Sequence, residues 1–342
     1  MISSVLGLFS LDVALDLGSS RTRIAVRGRE TPIDQPAVVA VQTDGRGRRN
    51  VLAVGDEARA MLGRTPPDIA AVQPVRAGTI EDYEVAEALM VHLLRRVHGR
   101  NKYMRPRMVV TVPCAAQEME RRAVRECCEA AGAREVHLVP KALAAALGAG
   151  LPVQDPTGVM VVDIGGGGTE ISVVSLSGVV SSRVVPSGGE GWDQAIIEFL
   201  RSEFGMLIGP ITAENLKMQL GRAIGGSEDD IVTVRGRDLV TGVPRAQRVA
   251  SDDITAALRR PLDDIAEGIR ATLESCPPEL ASDVVESGIV VVGGGAALPE
   301  VDRALSERTR LPVIVADDPE RASLTGAARM LAELDLLQAM AS

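Results

Sequence analysis

Apolar residues fall along this chain in short runs separated by stretches of helical spacing. Residues 13–17 are apolar except for Asp16, and the following segment alternates, with Ile24 and Val26 apolar. The same pairing recurs at 160–164, broken only by Asp163, and at Ile171 and Val173. Each pair predicts a β-hairpin with a loop of small residues at its tip. Further strands are expected at 36–42, 51–55, 108–113, 135–139, 231–235, 245–250, 288–292 and 312–316, that at 108–113 continuous enough for a buried parallel strand. Helical spacing covers 57–63, 84–97, 117–131, 142–148, 192–204, 213–221, 254–276, 299–308 and 322–337. Strands and helices alternating in this way predict an α/β architecture.

The two hairpins also carry the same chemistry. In each, an aspartate is followed by an apolar residue and a glycine, and a threonine stands six residues after the aspartate: Asp16 and Thr22, Asp163 and Thr169. Loops of small residues let backbone N–H groups approach phosphate oxygens, and the carboxylates suit the water shell of Mg²⁺. Two copies about half a chain apart predict two related domains gripping one polyphosphate. Gly293, Gly294 and Gly295 follow a β-branched strand and precede a helix. Three glycines exceed what a tight turn needs, so close approach to a nucleotide base or phosphate is expected there.

Composition narrows the function. The 342 residues are 46% hydrophobic but only 2% aromatic, enough for two aliphatic cores. Net charge is −9 and no dense Lys/Arg run occurs, which argues against a nucleic-acid partner. Cys114, Cys127, Cys128 and Cys276 form no CxxC and fit reduced, partly buried thiols of a cytoplasmic protein. No apolar run is long enough to cross a membrane. Residues 1–9 place Ile2, Val5, Leu6 and Phe9 on one helical face, either to lie on a membrane or to pack on the body of the protein. A loop at 101–107 sets Tyr103 and Met104 among basic residues, a composition suited to lipid headgroups.

Asp-Leu-Gly, Asp-Ile-Gly-Gly-Gly and Val-Gly-Gly-Gly-Ala, in that order, resemble the phosphate and adenosine motifs of the actin, sugar-kinase and Hsp70 superfamily. Segments 61–66, 120–123, 132–136, 144–151, 212–217, 234–239 and 276–283 resemble the bacterial rod-shape MreB family, and the likeness covers essentially the whole chain. It implies an actin-like α/β fold of four subdomains: 10–32, 68–148 and 317–337; 33–67; 149–183 and 250–316; and 184–249. It implies ATP with Mg²⁺ in a central cleft, self-assembly into filaments on the inner membrane surface, cell-wall elongation membrane proteins as partners, and a role in rod shape. Carried over by residue, Asp16, Gly18, Ser19, Ser20 and Arg21 form the first phosphate loop, and Gly165, Gly166, Gly167, Gly168 and Thr169 the second. Glu214 and Lys217 contact the nucleoside, Gly293, Gly294, Gly295, Ala296 and Ala297 wall the adenosine, and Asp16 and Asp163 hold the metal shell.

Three departures matter. The family usually has Thr-Ala-Asn where this chain has Ser19-Ser20-Arg21, so a cation enters the loop. Gly168 replaces a usual threonine. Pro140-Lys141 stands where the family has Glu-Glu, the first of which orients the attacking water. Slow or absent hydrolysis is therefore expected, with Glu118, Glu120 and Glu170 as the carboxylates that would have to substitute. A sugar or acetate kinase would need that carboxylate and a substrate-binding insertion. A paralogue serving segregation or organelle positioning is the alternative polymer.

Overall fold

The computed structural model describes residues 11–29, 31–76, 78–98 and 105–333. The first stretch runs β1 (Val13–Leu17), β2 (Arg21–Val26), β3 (Ile33–Pro36), β4 (Val39–Thr43), β5 (Arg49–Val54), α1 (Asp56–Ala60), β6 (Ile69–Val72), β7 (Val75–Arg76), β8 (Thr79–Ile80), α2 (Tyr83–His98), β9 (Arg107–Val112), α3 (Glu118–Ala130), β10 (Glu135–Pro140) and α4 (Lys141–Gly148). The second runs β11 (Val159–Ile164), β12 (Thr169–Ser175), β13 (Gly178–Val185), α5 (Gly189–Phe204), β14 (Met206–Leu207), α6 (Pro210–Leu220), β15 (Ile231–Asp238), β16 (Pro244–Ala250), α7 (Ser251–Glu274), α8 (Pro278–Ser287), β17 (Ile289–Val292), a 3₁₀ turn (Gly294–Ala297), α9 (Val301–Thr309), β18 (Val313–Val315) and α10 (Ala322–Ala332). Two compact units result: one holds residues up to 156, 174–179 and those from 321 onward, the other 157–173 and 180–320.

Each unit is built on a five-stranded sheet, and the two sheets share one topology. Their orders are β3-β2-β1-β9-β10 and β13-β12-β11-β17-β18. In the first, β1 pairs antiparallel with β2 and parallel with β9, and β10 continues the parallel half. In the second, β17 lies parallel to both β11 and β18. The central strands β1 and β11 are buried at every position, which explains why their sequences are near-continuous apolar runs.

Packing follows the strand alternation. Val13, Leu15, Leu17, Met108 and Val110 join one core with Leu89 and Leu93 of α2 and Val124 of α3. Ala14 and Val109 fall on the opposite face and are equally buried; α10 packs on β1 and β9. Helices α4 and α10 meet backbone to backbone: a Cβ on Gly148 would lie 1.8 Å from the Ala322 carbonyl, and one on Gly326 1.8 Å from that of Ala144. In the second unit, β11, β12 and β17 share a core with Trp192 and Ile196 of α5, Leu216 of α6 and Leu258 and Ile265 of α7. A small sheet, β14-β15-β16, completes that unit.

The elements depart from the sequence expectations in several places; helices expected from 192, 213 and 254, for example, each start three residues earlier. The apolar stretch 36–42 is split between two sheets: Pro36 closes β3, which pairs with β2 and is followed by the Ala37 N–H to Ser20 carbonyl bond at 3.0 Å, whereas Val39 opens β4, which pairs with β5 and β6. The helix expected from 299 starts at Val301, after Glu300 in the left-handed region at φ 64°. Helix α8 was not anticipated. The terminal segment 1–9, residues 334–337, and Tyr103 and Met104 lie outside the described residues. Among the described residues, no helix is long and apolar enough to cross a membrane.

Candidate functional site

In the first unit, Asp16 stands near the end of β1 and is 4% exposed, its Oδ1 accepting a hydrogen bond from the Thr111 hydroxyl at 2.9 Å. The turn after it is tight: a Cβ on Gly18 would come within 2.6 Å of the Arg21 carbonyl, so only glycine fits. Ser19 is buried and Ser20 half-buried beside it. Thr22 is fully buried, and its hydroxyl has no hydrogen-bond partner among the described residues.

Arg21, expected as a cation in the first phosphate loop, follows the tight turn directly. It opens strand β2, and its Nε lies 2.7 Å from Asp34 Oδ1 on the neighbouring strand. Arg23, two residues on and so on the same face, reaches the other oxygen at 3.1 Å. The single carboxylate between them offsets one of the two positive charges.

At position 140 the structure places a proline at the N-cap of α4, with no side-chain group to polarise water. Glu120 does not substitute for it. Its carboxylate accepts from the Gln117 N–H at 2.7 Å and the Thr79 hydroxyl at 3.2 Å, closing the first turn of α3. Glu118 is exposed on the same turn.

The second unit gathers its residues more closely. Asp163, 3% exposed, ends β11 beside Gly293: a Cβ there would meet Asp163 Oδ1 at 2.3 Å, and the backbone sits at φ 86°. A Cβ on Gly295 would strike the Ile164 side chain at 2.2 Å, whereas Gly294 faces open space. The members of the glycine run therefore differ. Gly293 and Gly295 let the chain pass over β11, and Gly294 is under no such constraint. Ala296 is buried and Ala297 exposed on the 3₁₀ turn that follows.

The loop at 165–168 is tied to the start of α5. Gly165 N–H donates to the Gly168 carbonyl, while the Gly189 and Glu190 N–H groups donate to the Gly165 and Gly166 carbonyls, all at 2.9 Å. Gly188 has no room for a side chain, since a Cβ would lie 2.6 Å from both Gly165 O and Gly168 N. Thr169 donates its hydroxyl to the Ser187 carbonyl. The two equivalent threonines thus differ: one is bonded, the other has no such partner among the described residues.

Glu214 and Lys217 lie three residues apart on α6 and so share a face. Lys217 Nζ donates to the Gly189 carbonyl at 2.7 Å and lies 2.7 Å from Asp193 Oδ1, off the direct hydrogen-bond line, so this contact is an ion pair. Asp193 was missed by sequence reading; its spacing from Lys217 carries no local signal. Burial pushes its carboxyl up to about 6, opposed by Lys217 and reinforced by Glu214 and Glu190. Among the described residues no three carboxylate, histidine or cysteine side chains cluster to hold a metal unaided.

A sequence profile of the MreB/Mbl protein family matches residues 10–339. The cell shape-determining protein MreB of Escherichia coli (strain K12) is 47% identical over 339 residues, covering 98% of this chain and 97% of that protein. The cell shape-determining protein Mbl of Bacillus subtilis (strain 168) is 36% identical over 330 residues, covering 96% and 98%. The crystal structure of MreB5 of Spiroplasma citri bound to AMPPNP matches with a TM-score of 0.90 at 30% identity, covering 95% of this chain and 97% of that one. The MamK double helical filament, at 23% identity and a TM-score of 0.78, shares the fold. The fold is actin-like, and the chain belongs to the MreB/Mbl family.

Proposed function

We propose that this protein binds ATP with Mg²⁺ and polymerises into filaments that lie on the inner face of the cell membrane and scaffold cell-wall synthesis. The observation that carries the reading is the duplication: a buried aspartate and a glycine turn on the central strand of each of two topologically equivalent sheets. One carboxylate per loop fits Mg²⁺, which keeps several waters and is commonly held by one or two carboxylates plus phosphate oxygens. The bound AMPPNP of the Spiroplasma relative supports a nucleotide, and the names of the Escherichia coli and Bacillus subtilis relatives support a role in cell shape. Contact with membrane and with cell-wall elongation proteins follows from the same family reading.

Within it, Asp16 and Asp163 orient metal-bound water, and the loops 18–20 and 165–168 present backbone N–H groups to phosphate. Gly294 and Glu214 bound the nucleoside. The four-subdomain division read from sequence belongs to this proposal. Proline at 140 makes the filament a nucleotide-holding polymer with slow turnover. Sedimentation of polymer with ATP–Mg²⁺ and with AMPPNP, alongside phosphate release, tests the reading. Pelleting in both nucleotides with little phosphate released is expected; an Asp163→Ala variant that binds ATP–Mg²⁺ as tightly as the parent overturns it.

A further inference from the structure

Lys217 occupies an electrostatically awkward place. Its ammonium lies against the first turn of α5, the end of a helix that carries partial positive charge and disfavours cations. Its side chain is 15% exposed, so water does little to offset that cost. Asp193 stands four residues after Gly189, one turn along the same face of α5, and its side chain is 14% exposed. Its carboxylate lies 2.7 Å from the ammonium that the Gly189 carbonyl also holds. Gly189 in turn donates its N–H to Gly165, and Glu190 donates to Gly166. A continuous run of contacts therefore joins the Glu214–Lys217 face of α6 to the carbonyls of the loop at 165–168.

We propose that Asp193 is a positioning residue for the nucleotide, holding Lys217 against Gly189 so that the nucleoside-contacting face and the second phosphate loop keep a fixed spacing. The inference rests on the nucleotide-binding reading above and adds to it a residue outside both contact sets. The absence of any side chain at Gly188 matters here. With a Cβ excluded there, the loop and the helix start are in direct backbone contact, and a shift of Gly189 is passed on undamped. Asp193 acts through Lys217 and touches no ligand itself.

The test uses the full chain and three ligands: adenosine, ADP and ATP, the last two with Mg²⁺, each measured by competition against a fluorescent ATP analogue. Asp193→Asn keeps the shape and removes the charge. ADP and ATP are expected to weaken at least fivefold more than adenosine does. The Asp193→Asn, Lys217→Met double variant is expected to bind no more weakly than Lys217→Met alone. Without ligand, hydrogen exchange at the Gly189 and Glu190 amides should speed up about tenfold in Asp193→Asn. Lys217→Gln breaks the pair from the other side and should speed the same amides, so the test stands even if the asparagine variant does not fold. Equal weakening of all three ligands, additive losses in the double variant, or unchanged exchange at those amides overturns the role of Asp193. A parent chain that binds none of the three ligands overturns the nucleotide reading itself.

Discussion

Asp34 accepts Arg21 on one carboxylate oxygen and Arg23 on the other, at 2.7 and 3.1 Å, across adjacent antiparallel strands. Arg21 is partly solvated and Arg23 nearly buried, so the two halves of this fork differ in worth. Arg21→Ala should cost under about 1 kcal/mol, as expected of an exposed pair. Asp34→Asn should cost more, about 2–3 kcal/mol, because it takes a carboxylate away from the nearly buried Arg23 charge. Denaturant midpoints of the two variants would rank them. ATP affinity within threefold of the parent in Arg21→Ala would show that the guanidinium, paired with Asp34, is not needed at the phosphate loop.

The threonine pair offers a matched comparison. Thr169→Val removes a buried donor from the Ser187 carbonyl and should destabilise by about 1–3 kcal/mol. Thr22→Val removes a buried hydroxyl that has no hydrogen-bond partner among the described residues, so it should be neutral or stabilising. Melting temperatures that fall equally in both variants would contradict the asymmetry.

Alanine at each of the three glycines after β17 should separate folding from binding. Gly293→Ala forces a Cβ onto Asp163 at a positive φ, and Gly295→Ala forces one onto Ile164. Both should lower the melting temperature by several degrees, the signature of overpacking at about 1–3 kcal/mol. Gly294→Ala meets open space and should melt like the parent while changing nucleotide affinity.

Pro140→Glu should raise phosphate release by about 10²-fold or more, the usual contribution of a positioned acid–base group, while leaving ATP affinity within a few-fold. A parent already as fast as the variant would mean that another group orients the water.

Asp193 should titrate with a midpoint near 6, read from its carboxyl carbon resonance. Removing Lys217, the group that opposes burial, should move the midpoint higher still. The sign for stability follows from the ordinary carboxylate value of 3.8. Between that value and about 6 the folded chain keeps a proton that the unfolded chain has released, so this group favours folding most at acid pH. Its contribution declines as pH rises through 6. Thermal melts of parent and Asp193→Asn between pH 4.5 and 7.5 should converge on the side where the parent carboxyl is neutral.

Much of this was legible along the chain. The central strands announce themselves because both their faces are covered, so each is an apolar run broken only by its aspartate, and the Asp-to-Thr spacing repeats because both hairpins turn in the same way. What the sequence hid are partners brought together by the fold. Arg21 reads as a free cation until β3 delivers Asp34, thirteen residues away. Lys217 reads as a ligand contact alone, and its ion pair with Asp193 is visible only once α5 is in place. The glycine run at 293–295 reads as one device, yet its members answer to different neighbours.

The contact between α4 and α10 also sets a timetable for synthesis. Helix α10 supplies Leu324, Ala327, Met330 and Leu331 to the interior of the first unit, although the ribosome makes it after every residue of the second. The usual order, in which the N-terminal domain folds first, is reversed. The second unit can finish its core while the chain is still tethered, whereas the first waits with one face of its sheet only partly covered until α10 emerges. Nascent chains stalled before Ala322 should therefore be the species that a holdase captures.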